Sequence, residues 1–210
     1  RAYHTAVELD GLVYAIGGSA DNRMLNTMEV YDAEKDAWLV WFKVPPMQTK
    51  RMQHAAVSAE GKIFVAGGFD GTRDMAAFEC YNKATNGWSW LDSMSASRSF
   101  LTLALAGGHI WAIGGQDRLS ITSRGQRAVE AFDLYSERWY ERPKLPAPRI
   151  GAAAGTLRTN DGQEHIYVCG GSDGDEVLTS MERIAADESE EEWTEVASMT
   201  VPRLSHVAVV

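Results

Sequence analysis

Residues 51–91, RMQHAAVSAEGKIFVAGGFDGTRDMAAFECYNKATNGWSWL, decide the fold. Gln53–Ala59 and Lys62–Ala66 are short β-like runs joined at Glu60-Gly61, and the second run ends at Gly67-Gly68. Phe78–Tyr81 gives a third run, and Trp88–Leu91 a fourth after a turn at Asn86-Gly87. Short runs rich in β-branched and aromatic residues, separated by Gly and Asn at turn positions, predict a four-stranded antiparallel meander.

The pattern recurs roughly every fifty residues, a period that implies stacked supersecondary units rather than one single-core enzyme domain. Arg1, Arg51, Arg98 and Arg149 open repeats 1–50, 51–97, 98–148 and 149–202, and Arg203 opens a partial fifth, 203–210. Each full repeat carries a glycine pair (17–18, 67–68, 114–115, 170–171) and later a tryptophan: Trp38, Trp88, Trp139 or Trp193. Repeat one reads as Tyr3–Leu9, Leu12–Ile16, Met28–Tyr31 and Ala37–Phe42, with a hairpin turn at Asp10-Gly11. Repeat three reads as Phe100–Ala106, His109–Ile113, Val129–Phe132 and Arg138–Tyr140. Repeat four reads as Gly151–Leu157, His165–Cys169, Thr179–Ile184 and Trp193–Val196. A four-stranded sheet cannot bury both faces alone, so such units must pack face to face around an axis, as in an all-β propeller.

Composition narrows the function. The chain has 29 acidic and 20 basic residues and a formal charge of −9, which argues against nucleic-acid binding. Its two cysteines, Cys80 and Cys169, make neither a disulfide framework nor a metal-spaced set. A reducing cytoplasmic or nuclear compartment is the expectation. No apolar run reaches the ~18 residues of a membrane span, and no cofactor motif is present.

Arg, then Gly-Gly, then Tyr-Asp, then Trp six residues after the Asp resembles the kelch repeat, intact in Tyr31-Asp32 and Trp38. Tyr81-Asn82 with Trp88 and Phe132-Asp133 with Trp139 repeat it with small changes. Repeat four departs, with Ile184-Ala185 in place of the aromatic-acid pair and an acidic stretch before Trp193. The resemblance implies a kelch-type β-propeller of four four-stranded blades plus the first strand of a fifth. It further implies a six-bladed ring, so the chain is expected to be a fragment of a larger ring, or one completed by another chain. An unclosed ring would invite homo-oligomers.

The recurring residues read mainly as architecture. The glycine pairs follow a strand but precede no helix, so close backbone approach explains them better than a phosphate cradle. His4, His54 and His206 follow their arginines by three residues and are expected to pack on inner strands, whereas His109 and His165 are expected to face solvent. The four motif tryptophans, with Tyr31, Tyr81 and Phe132, are expected to pack between blades. Trp41, Trp90 and Trp111 lie outside the repeated set and read first as core, with exposed contact residues as the alternative. Asp187, Glu188, Glu190, Glu191 and Glu192 read first as a solvated turn, with a partner-binding loop as the alternative.

A meander sorts its loops by face. One face receives the repeat-opening arginines Arg51, Arg98, Arg149 and Arg203, with Arg23, Arg73, Arg118, Arg124 and Arg127 in the loops between second and third strands; it is mixed, since Asp21, Asp70, Asp74, Asp117, Asp173, Asp175 and Glu176 share it. The opposite face receives Asp10, Asp32, Glu34, Asp36, Glu60, Glu137, Asp161, Glu164 and the acids of 187–192. Because guanidinium suits carboxylate recognition, Arg23, Arg51, Arg73, Arg98, Arg118, Arg124 and Arg149 are the candidate partner-binding residues for an acidic peptide or loop. For the opening arginines, bonding to backbone carbonyls between blades is the equal alternative.

The leading functional expectation is a non-catalytic protein-binding module. Phe69-Asp70-Gly71-Thr72, Phe78-Glu79-Cys80-Tyr81 and Arg149-Ile150-Gly151 are similar to BTB-kelch adaptors, which implies a substrate-receptor role for a cullin ubiquitin ligase. A cytoskeletal or signalling scaffold is the second class. A propeller enzyme is the third, since kelch-type propellers include galactose oxidase and sialic-acid-processing proteins; no catalytic triad, metal set or paired carboxylates support it.

Overall fold

Hydrogen bonding across short strands builds four separate sheets. The computed structural model describes residues 1–39, 44–119, 125–160, 162–187 and 189–208. Each four-stranded sheet is an antiparallel meander in chain order. Blade one comprises Thr5–Leu9, Leu12–Ile16, Met28–Asp32 and Ala37–Trp38; blade two comprises Ala55–Ala59, Lys62–Ala66, Phe78–Asn82 and Gly87–Leu91. Blade three comprises Thr102–Ala106, His109–Ile113, Val129–Asp133 and Arg138–Arg142; blade four comprises Ala153–Arg158, Glu164–Cys169, Met181–Ala185 and Thr194–Val196. The chain divides into two compact units, Arg1–Ser99 and Phe100–Val210.

First strands begin two residues later than the apolar pattern predicts, and the backbone gives the reason. The residue two positions after each opening arginine is left-handed: Tyr3 (φ 55°), Gln53 (57°), Phe100 (54°), Gly151 (63°) and Ser205 (52°). A left-handed residue cannot sit in a strand ladder. It turns its N–H to the equivalent carbonyl of the preceding repeat, Gln53 to Tyr3 at 3.0 Å, Gly151 to Phe100 at 2.8 Å and Ser205 to Gly151 at 2.8 Å. The Gly17-Gly18 exit is shaped by the same junction. Gly18 N–H donates to Arg51 O at 2.8 Å, and a Cβ on Gly17 would lie 2.8 Å from that oxygen. The glycines are there for close approach.

Alternation along the strands places one row on each neighbouring sheet. In the first unit, Tyr14, Ile16, Val30 and Leu39 of blade one meet Ile63, Val65 and Tyr81 of blade two. In the second, Trp111, Ile113 and Ala131 of blade three meet Ile166, Val168 and Ile184 of blade four. Each buried Ile contributes roughly 1.5–3 kcal/mol from area removed from water. Trp88 Nε1 donates to Pro45 O at 2.9 Å and Trp193 Nε1 to Pro143 O at 2.8 Å, so these motif tryptophans bridge consecutive repeats as expected.

Other expectations are corrected. Trp38 is 51% exposed, as is Trp90, which is not core, whereas Trp111 is buried; Trp41 lies outside the described residues. Of the histidines, His54 is buried but His4 is exposed, and His165 is buried rather than solvent-facing. His165 is the second residue of its strand and lies on the row of Tyr167, 6.4 Å from that ring. A hairpin missing from the sequence reading pairs Ser19–Ala20 with Arg23–Met24, through left-handed Asp21 and Asn22. Residues 203–208 form no strand, so the expected first strand of a fifth blade is not seen among the described residues. Their opening nonetheless docks on blade four as earlier openings do, with Gly171 N–H donating to Arg203 O at 2.8 Å.

Candidate functional site

The six candidate arginines among the described residues fall into two environments. Arg51, Arg98 and Arg149 are buried and so are removed from any surface that a partner could touch. Arg51 Nη1 donates to Gly67 O at 2.8 Å and Ala77 O at 3.2 Å, while Nη2 pairs with Glu79 Oε1. Arg149 repeats the arrangement with Gly170 O, Ser180 O and Glu182 Oε1. Arg1 does so at the surface with Gly17 O, Thr27 O and Glu29, whose carboxyl the Arg1 hydrogen bond holds below its usual range. The opening arginine therefore ties the glycine exit of its own blade to the third strand. Burial pulls Arg51 below its ordinary pKa, and the Glu79 charge opposes that pull. The arginines do bond carbonyls, but within one blade rather than between blades as the alternative had it, and with a carboxylate added that spacing alone did not indicate.

Arg23, Arg73 and Arg118 are exposed. Four equivalent hydrogen bonds fix the register of their loops: Leu25 N–H to Gly18 O, Met75 to Gly68, Gln126 to Gly115 and Leu178 to Gly171, at 2.7–2.9 Å. Two residues before each donor stand Arg23, Arg73, Arg124 and Glu176. Arg124 lies outside the described residues. Arg118 precedes this position in its loop, with its guanidinium 5.7 Å from the Phe100 ring centroid.

The Arg73 loop is braced from within. Asp70 Oδ1 accepts from Thr72 N–H at 2.7 Å and Arg73 N–H at 2.9 Å, an Asx turn. Burial raises the Asp70 carboxyl, but these bonds and the Arg73 charge outweigh it and hold it below its usual range. The Arg73 side chain stays 70% exposed, with Nε 3.8 Å from Asp70 Oδ2. Within the first unit the Met24 thioether packs against Gly71, where a Cβ would lie 3.2 Å from the methyl carbon. Arg23 and Arg73 thus sit on loops in contact. In blade four Asp173 makes the same turn with Asp175 and Glu176, presenting carboxylates where blade two presents Arg73.

On the other loop class, acids mostly build their own turns. Asp32 accepts from the N–H groups of Glu34 and Lys35, and Asp133 from those of Tyr135 and Ser136. Asp187 accepts from Ser189 N–H, and Glu190 Oε2 accepts from Ala185 N–H at 2.8 Å. Asp161 and Glu188 lie outside the described residues. Among the described residues no group of three or more His, Cys, Asp or Glu could hold a metal, and no helix is long and apolar enough to cross a membrane. Tyr81 Oη donates to Asn86 Oδ1 at 2.9 Å, a turn-bracing role.

Comparisons with known proteins agree with this geometry. The solved structure of YjhT superposes with a TM-score of 0.80 over 99% of this chain and 73% of that one, at 16% identity, which shows a shared β-propeller fold. Alpha-scruin of Limulus polyphemus is 28% identical over all of this chain and 18% of its own length. Kelch-like protein 40 of Mus musculus is 35% identical over 63% of this chain and 21% of its own. Spermatocyte protein spe-26 of Caenorhabditis elegans is 30% identical over 47% and 18%. The chain therefore spans about a fifth of the length of the curated relatives it matches. The KLHDC2/KLHL20/DRC7 Kelch-repeats domain matches residues 3–210, and the chain belongs to this kelch-repeat family.

Proposed function

We propose that this kelch domain is a non-catalytic protein-interaction module that takes an acidic peptide or loop through Arg23, Arg73 and Arg118, with Arg124 aligned to them by repeat register. The carrying observation is that Arg23 and Arg73 are exposed at one loop position of repeats one and two, Arg73 on a loop whose backbone is already braced. Braced loops lose little entropy on binding, and guanidinium offers bidentate bonds to carboxylate. Arg51, Arg98 and Arg149 support these loops from beneath without touching the ligand.

Within this reading the domain serves as the substrate-receptor part of a cullin ubiquitin ligase, in the cytoplasm or nucleus; a cytoskeletal or signalling scaffold is the alternative. Similarity to kelch-like protein 40 favours the former and similarity to alpha-scruin the latter. Association of copies, meeting at the exposed Trp38, is part of the same reading. The test is binding of fluorescein-labelled Asp/Glu-rich peptides, read by anisotropy, to wild type and to Arg23→Glu with Arg73→Glu. The reading requires saturable binding that the double reversal weakens at least tenfold. Equal affinity for both proteins sinks it.

A further inference from the structure

The fourth strand lies at one edge of each sheet, and an edge presents backbone N–H and C=O groups to any strand that can pair with it. Three of these four edges are blunted by brevity or charge. Among the described residues Ala37–Trp38 of blade one is two residues long, and Thr194–Val196 of blade four is three and carries Glu195. Arg138–Arg142 of blade three carries Arg138, Glu141 and Arg142. Gly87–Leu91 of blade two, GWSWL, has five residues and neither charge nor proline. Ser89 is exposed and Trp90 is 51% exposed, so solvent reaches this edge.

The register orients the edge. In blade one Leu39 N–H bonds Val30 O at 2.7 Å, next to the Tyr31–Trp38 pair, and Ser89 and Cys80 stand in the same place beside Trp88 and Tyr81. Antiparallel alternation then turns the backbone N–H and C=O of Trp88 and Trp90 outward. We infer that Gly87–Leu91 pairs antiparallel with the same strand of a second copy of this chain, about a two-fold axis at Ser89. Trp88 and Trp90 of one copy exchange N–H···O bonds with Trp90 and Trp88 of the other, and Gly87 stands opposite Leu91. The neighbouring centres fit worse. One at Trp88 draws left-handed Asn86 (φ 48°) into the ladder, and one at Trp90 sets Asp92 opposite Trp88. The occupant is a second copy because the segment matches itself: each outward donor meets an acceptor, indole meets indole, and no like charges face each other. One strand per copy buries less than the ~1,200 Å² of stable complexes, so the dimer is weak and concentration-dependent. It depends neither on the arginine-bearing loops nor on Trp38.

The experiment uses the whole chain with Cys169→Ser, which leaves only the buried Cys80. Sedimentation velocity across a concentration series should show monomer–dimer exchange, weakened about tenfold or more by Trp90→Lys, the charge that natural edges set against pairing. Trp90→Pro removes an outward N–H but no ladder bond, so it should abolish the dimer while the circular dichroism stays that of wild type. Tyr135→Lys, at a fully exposed turn of blade three, should change nothing. Ser89→Cys tests the register. Opposite residues of a non-hydrogen-bonded pair lie about 4.5 Å apart at Cα, within reach of a disulfide. Mild oxidation should therefore link Ser89→Cys copies to each other but not Leu91→Cys copies, whose residue 91 faces Gly87. A monomer at every concentration, undiminished association of Trp90→Lys, or equal cross-linking of Leu91→Cys would overturn the inference. Loss of the dimer in Trp38→Lys with Trp90→Lys unaffected would assign association to blade one and overturn it as well.

Discussion

Arg51 and Glu79 form an ion pair with both side chains fully excluded from solvent. The pair survives burial because most of its other polar atoms are engaged, although Arg51 Nε has no hydrogen-bond partner. Glu79 Oε2 accepts from Gln48 N–H at 2.7 Å, and Arg51 Nη1 reaches two carbonyls. Arg149 and Glu182 copy the pair in blade four, but there Pro146 stands where Gln48 stands, three residues before the arginine. Proline has no N–H, and Glu182 Oε2 has no hydrogen-bond partner.

Removing one partner of such a pair leaves a buried, uncompensated charge. Glu79→Gln is expected to cost about 3 kcal/mol of unfolding free energy in urea titration. Glu182→Gln should cost about 1 kcal/mol less, because its carboxylate makes one bond fewer. Equal losses would contradict the role given to Gln48 and Pro146.

His54 is buried beside Arg51, and burial first, then the Arg51 charge, lowers its pKa from 6.5 to about 3. Below 6.5 the unfolded chain binds a proton that the folded chain refuses until pH nears 3. Stability should therefore be fully present above 6.5 and fall by about 1.4 kcal/mol per pH unit on acidification between these values. The difference in slope between wild type and His54→Gln, measured from pH 7 to 4, isolates this contribution.

The indole of Trp88 is tied to Pro45 O, while Trp38 is half exposed at the same repeat position. Trp88→Phe should cost about 1–2 kcal/mol through the lost hydrogen bond and packing. Trp38→Phe should stay within about 0.5 kcal/mol of wild type, as surface changes generally do. Thermal unfolding of the two variants in parallel distinguishes them.

Arg73→Glu should leave stability within about 0.5 kcal/mol, since the side chain is exposed and its Asx turn uses backbone N–H groups. Arg51→Glu should unfold the first unit outright by burying two facing carboxylates. Circular dichroism of both variants separates surface from support.

Much of the fold is legible in the chain. Asp10-Gly11 and Glu60-Gly61 announce their hairpins because both residues of each turn take positive φ, a local requirement. Leu12–Ile16, Lys62–Ala66 and His109–Ile113 form as read, since each second strand ends at a glycine pair that cannot continue it. The left-handed positions at Tyr3, Gln53 and Phe100 are not legible. Nothing in those side chains favours positive φ, and at Gln53 the conformation is stabilised by the Tyr3 carbonyl of the preceding repeat.

The candidate site divides along the same line. Sequence by itself determined the repeat, the four-stranded meander of each blade, the loop class that carries each arginine and the acidic insertion of repeat four. These follow from period, turn chemistry and alternation, which act over a few residues. Only the tertiary structure decided that Arg51 and Arg149 are bolts within a blade while Arg23, Arg73 and Arg118 face solvent. An arginine's burial depends on partners that arrive from afar, as Gly67 O and Glu79 do from 16 and 28 residues along the chain. The charge is the same in both settings, and the fold determines whether water or a carboxylate meets it.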